Sequence, residues 1–298
     1  LANTTGGSNT ACGASALRGN SSASNNTAVG KNALYSSNAA DNTAVGYGAM
    51  ETNSTGDNCT AVGKSALYAN TTGGSNTAIG KDANKSNTTG SANTTVGAFA
   101  LDANTTASSN CAFGYQALTA NTTGADNVAM GRGALSVQTT GNYNIAIGRD
   151  ALQNNNSENN TAVGYRAGNS CTTGSGNVMI GDYAGHGLTT AERCVFIGNT
   201  SGFAGTTTGD KNTAVGDNAL RNVSSGHSNT ATGSTALQDL TTGHSNTAFG
   251  KEAGQNITTG NGNAMCGHNT LNNCTTGGSN SALGNSAGFS VSTGDNNV

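Results

Sequence analysis

The residues able to do chemistry are few and scattered through the chain. Cys266, His268 and Cys274 place two thiols and an imidazole in one short stretch. A zinc ion held there would still need a fourth ligand or a water at regular spacing. His227 and His244 stand 17 residues apart, each in a Gly-His-Ser-Asn string, and could form a metal or pH-responsive pair. Lys31, Lys64, Lys81, Arg132, Arg149 and Lys251 recur at one sequence phase, which Asp182 and Asp217 share, so a polyanion stripe competes with a solvated face of mixed sign. Tyr47, Tyr115 and Tyr165 fall at that phase too and could stack on sugar rings, although several repeats separate them. Asn70 and Asn121 open Asn-Thr-Thr strings that match glycosylation acceptors. Carboxylates are sparse, and Ser, His and Asp form no nucleophile–base pattern, so the sequence predicts no enzyme and assigns no catalytic, cofactor-binding or metal residue.

What positions these residues is a repeat. A glycine anchor closes strings such as Asn-Thr-Ala-Val-Gly at seventeen places from Gly13 to Gly284; of the sixteen intervals thirteen are 17 residues, two are 16 and one is 18. The segment from Asn76 to Ala92 is close to the idealised unit N-T-A-V-G-x-x-A-L-x-x-N-T-T-G-x-S. Four positions before the anchor, Asn stands in fifteen units, with Cys59 and Cys194 in the others. Two before, Ala stands in thirteen, replaced by Thr95, Met179, Phe196 and Met265. One before, the residue is apolar except at Thr232; three after it is Ala in fifteen units, and four after it is mostly Leu.

Gly at every anchor and a Thr-Thr-Gly stop leave no helix of useful length. The β-branched run before each Gly reads as a short strand. One strand per unit, stacked in register, makes an all-β parallel β-solenoid of about seventeen 17-residue coils, a single array over residues 1–298. Asn side chains would then bond along the stack, and the absence of Pro follows from backbone N–H groups that must pair between coils. The length changes fall between the A-V-G-x-x-A block and the next Asn, for example at Thr206 to Gly209, which places the Thr-Gly-Ser stretch at an exposed corner. Where Leu after Ala becomes Gly (Gly168, Gly185, Gly254, Gly288), an apolar residue or Cys appears three positions on (Cys171, Leu188, Ile257, Val291), as conserved core volume requires. Gly202 lacks that partner, and Phe203 is the candidate to fill its space.

In a strand, alternate side chains face opposite ways, so Val and Thr share one side and Ala takes the other. The Ala side is expected to pack against other copies, most simply about a three-fold axis, giving a homotrimeric rod. The competing arrangement is a flattened monomer with Ala filling a thin core. The seven cysteines never share a phase in adjacent coils, so unpaired structural thiols are expected, Cys266 among them as a core residue. Leu1 begins in mid-unit and Val298 stops just before an expected A-V-G, which suggests a segment of a longer fibre protein or ends that dock on other subunits.

The N-T-A-V-G-x-x-A-L unit with Thr-Thr-Gly between units resembles repeats of phage tail-fibre and tail-spike proteins, of the type found with endosialidase-type intramolecular chaperones. It is related in pattern to the shorter S-V-A-I-G head repeats of trimeric autotransporter adhesins. The resemblance covers Asn9 to Gly288 and implies a trimeric β-roll rod. It implies a structural shaft on a virion tail fibre or at a cell surface, with self-association and contact with a surface glycan or receptor. Departures are the longer unit and the lack of a chaperone domain, anchor or heptad stalk. A bacterial adhesin or extracellular filament subunit is the alternative. An ice-binding solenoid, suggested by the row Thr71, Thr88, Thr105, Thr122 and Thr139, and a polysaccharide-degrading spike are further ones. The net charge of −3 gives no case for nucleic acid, and no apolar run suits membrane insertion.

Overall fold

A computed structural model describes residues 5–298; Leu1 lies outside them. The described chain is all-β, and every strand is three residues long. It divides into two compact units, Leu1–Arg149 and Asp150–Val298. The first holds nine strands, from β1 (Thr10–Cys12) to β9 (Ile145–Ile147), and the second eight, from β10 (Thr161–Val163) to β17 (Ser281–Leu283). Each unit is a parallel β-solenoid.

Residues of the same repeat position stack on one another. In the first unit Thr77 pairs with Thr94, Ala78 with Thr95 and Ile79 with Val96. The coil is tied to its neighbour well beyond the strand: Leu67 N donates to Ala83 O at 2.9 Å, Thr71 N to Thr88 O at 2.9 Å and Gly80 N to Val62 O at 2.8 Å. Such ladders on most sides of the coil leave little room for Pro.

Two walls of Asn complete the bonding. In the wall before the strands, Asn93 Nδ2 donates to Asn76 Oδ1 at 3.1 Å and to Ala107 O at 2.9 Å, while Asn93 N donates to Asn76 Oδ1 at 2.9 Å. Where Cys59 interrupts this wall its thiol turns to Gly73 O at 3.4 Å. The second wall, seven residues after the anchor, lies mostly in the first unit: Asn70, Asn87 and Asn104 each donate to the Asn one coil earlier at 2.8 Å. In the second unit Asn155 is the last Asn of that wall, which then turns mostly apolar, with Cys171, Leu188, Val223, Leu240 and Ile257 fully buried.

The Ala residues lie inside each coil. Ala28, Ala61, Ala78 and Ala112 on the strands and Ala33, Ala66 and Ala83 after the anchor are fully buried. This corrects the expectation that Ala faces other copies. Leu34, Leu67 and Leu101, entering from beyond the anchor, fill the narrow interior and leave only a methyl-sized space under the strand. The outward strand residues are therefore Thr and Val.

Buried volume is shared among three positions. Met179, Phe196 and Met265 replace strand Ala, and each lies against Gly where Leu would otherwise stand. A Cβ on Gly168 would meet Met179 Sδ at 2.6 Å, on Gly254 Met265 Sδ at 2.6 Å, and on Gly202 the Phe196 ring at 2.8 Å. Phe196, not Phe203, thus fills the space above Gly202; Phe203 is half-exposed. The position also has a left-handed backbone, with φ of 52° at Leu67, 51° at Leu101 and 59° at Gly202. Leu there costs about 1 kcal/mol that Gly avoids.

Asn84 is the misfit of the first unit. It takes this Leu position, is fully buried, and neither side-chain polar atom has a hydrogen-bond partner. Leaving such an amide unsatisfied costs about 1–3 kcal/mol. Asn84→Leu is expected to stabilise the protein by about 2 kcal/mol, read from denaturant midpoints at an unchanged slope. A neutral or destabilising result would show that Asn84 has a partner after all.

Candidate functional site

The residues with chemical potential separate onto distinct surfaces. Cys266 lies exposed on a strand and Cys274 is buried in the wall seven residues after the anchor. His268 turns to Glu252, its Nε2 3.6 Å from the carboxylate. The three do not converge, and among the described residues no group of three or more His, Cys, Asp and Glu could hold a metal ion. Cys266 is thus an outward residue rather than the core residue expected, because it takes the Val position of its strand. All seven cysteines are free thiols. Burial pushes the Cys171 thiol up to about 12 and the Cys194 thiol to about 11.

His227 and His244 do meet. Their rings stack at 4.9 Å between centroids and 4° between planes, His227 exposed and His244 half-exposed, each Nδ1 3.4 Å from the following Ser hydroxyl. The basic residues after the anchor form a face of mixed sign: Lys81 lies 3.6 Å from Asp82, and Lys251 3.0 Å from Glu252. Lys31 and Lys64 flank the exposed ring of Tyr47 at 5.9 and 6.0 Å, and Tyr115 meets Phe99 edge-on at 6.1 Å. Asn70 and Asn121 are fully buried, their amides committed to carbonyls of the adjoining corner, so neither string offers a glycosylation site in the folded chain.

The Thr row is internal bracing. Thr71, Thr88, Thr105 and Thr122 each donate the hydroxyl to the next coil's carbonyl at 2.9–3.1 Å.

The surface least explained by the coil itself is the outward strand face. In the first unit Val29, Val62, Ile79, Phe113, Met130 and Ile147 each stand one residue before an anchor and are 36–44% exposed, and Val45 and Val96 at the same position are half-buried. In the second, Ile180, Val215 and Phe249 are 36–47% exposed at the same position. None of the strands carries a charged residue. Ordered apolar rows of this kind mark interaction surfaces rather than solvated ones. Aromatic side chains gather on the turns of the second unit, where Tyr165 and Tyr183 meet at 5.1 Å, a contact that repeat phase alone does not predict.

The chain matches no family model, no curated protein and no solved structure.

Proposed function

We propose that this chain is a structural segment of a fibre, of the kind that phage tail fibres or related surface appendages use as a shaft, in which copies pack strand face against strand face, most simply in threes. The observation that carries the reading is the charge-free row of half-exposed Val, Ile, Phe and Met on every unit's strands. Completing the burial of each such side chain contributes about 1 kcal/mol, and a repeat multiplies it along the row. Ladders of backbone, Asn and Thr bonds supply the stiffness a shaft needs. The role is mechanical: to hold attachment elements away from the particle or cell. An adhesin or extracellular filament subunit would use the same face. The ice-binding alternative loses its motivating feature, since the Thr hydroxyls of the row are bonded along the stack.

Native cysteines report on this packing. Cys12 and Cys266 are exposed at the Val position of their strands and Cys111 is half-exposed at the Thr position of the same face, whereas Cys59, Cys171, Cys194 and Cys274 are buried. In a parallel, in-register assembly each outward thiol faces its counterpart. Mild oxidation of the full chain is expected to link copies through Cys12, Cys111 or Cys266, and the triple variant Cys12→Ser, Cys111→Ser, Cys266→Ser to abolish the linkage. No linkage, or linkage that survives in the triple variant, contradicts strand-face packing.

A further inference from the structure

In a chain only 4% aromatic, four rings meet within three successive coils of the second unit. Tyr165 and Tyr183 pack edge to face at 5.1 Å. Tyr183 touches His186 at 5.4 Å and Phe203 at 5.8 Å, and His186 stacks on Phe203 at 5.3 Å and 24°. Guanidinium groups close both ends: Arg166 lies 5.4 Å over Tyr165, and Arg221 5.8 Å over Phe203. The turns place them. Arg166 and Tyr183 take left-handed backbone, φ 52° and 56°, so the chain folds back after each anchor and neighbouring coils present these side chains in one row.

Stacking of the coils does not require this cluster. Other coils carry Asn, Ser, Asp or Gln at the Tyr183 position and stack with the same register. Phe203 also lies within the single 18-residue interval, where Gly205 and Thr206 are exposed. The two cations differ. Arg166 already lies 3.8 Å from Asp150, whereas Arg221 has no carboxylate partner among the described residues; the Nε atoms of both are buried without a hydrogen-bond partner. Burial, and next the charge of Arg166, holds His186 below the usual imidazole range, so it adds a neutral ring at pH 7.

We propose that this cluster binds an acidic glycan, a pyranose C–H face lying on the half-exposed rings and a carboxylate paired with Arg221. An apolar plate beside one free guanidinium fits a sugar bearing one carboxylate. A nucleic-acid strand would need a row of free cations, and here Asp150 offsets Arg166. The inference is independent of strand-face packing, since its residues lie on the turns.

Native electrophoresis of the full chain through gels containing polygalacturonate, polysialate or dextran tests it. The expected result is retardation by at least one acidic polymer and none by dextran. Arg221→Gln and Tyr183→Asn are each expected to weaken retardation at least tenfold. Asn occupies the Tyr183 position in other coils (Asn32, Asn218), so that variant keeps the left-handed backbone. Retardation by neither acidic polymer, equal retardation by dextran, or retardation unchanged in both variants overturns the proposal.

Discussion

Replacing a single anchor glycine, Gly80→Ala, is expected to destabilise the protein by about 4 kcal/mol, with the denaturation midpoint followed by circular dichroism as the measurement. Two costs combine. Gly80 has φ of +137°, a backbone region that side chains rarely enter. A Cβ there would also sit 2.6 Å from the Gly97 carbonyl oxygen and 2.7 Å from its carbon, both backbone atoms of the next coil. Neither can move without breaking the ladder in which Gly80 N bonds Val62 O and Gly97 N bonds Ile79 O, each at 2.8 Å. The coil has no alternative corner, which is why Gly holds this position in all seventeen units while neighbouring positions vary. A loss below about 1 kcal/mol would mean the coils can slide apart locally and that the stack is looser than its bonds indicate.

Charge on the strand face is expected to act on association and spare the fold. Ile79 and Met130 are 40% and 41% exposed, outside the coil interior. In an isolated chain Lys at these positions is solvated and leaves the Ala and Leu packing beneath untouched. In an assembly built on this face each Lys would be desolvated without a partner, since no strand offers a carboxylate. Repeated in every copy, the double variant Ile79→Lys, Met130→Lys is expected to convert the assembly to single chains with an unchanged circular dichroism spectrum. Retention of the assembly would move the contact to another surface. The matching substitution on the turns, Tyr47→Lys, serves as the comparison and is expected to leave the assembly intact.

Strand position, parallel register, the Asn wall and the glycine corner follow from the 17-residue period, because stacking turns a sequence phase directly into a spatial row. The direction of the strand faces does not follow from alternation alone. Period two says that Ala and Val point opposite ways and not which is inside. Size tolerance carries that information. The inward position is restricted mostly to Ala, whereas the outward one accepts Val29, Ile79, Phe113, Met130 and Cys266 with no compensating change. A buried site of fixed volume cannot do that. Leu is a poor marker of left-handed backbone, yet its exchange for Gly at Gly168, Gly185, Gly202 and Gly254 reflects such a position as well as a volume trade. The aromatic cluster escapes a reading by phase, because Tyr165, Tyr183 and Phe203 sit at three different offsets and meet only through the turn geometry.

Absolute mass in solution, by light scattering after size exclusion, tests most directly whether the strand face joins copies of the chain. Strand-face packing in threes predicts a stable species of three times the 29.1 kDa chain mass. A folded, soluble species at 29.1 kDa over the whole concentration range would contradict it, and would leave the exposed Val, Ile, Phe and Met rows to a different partner.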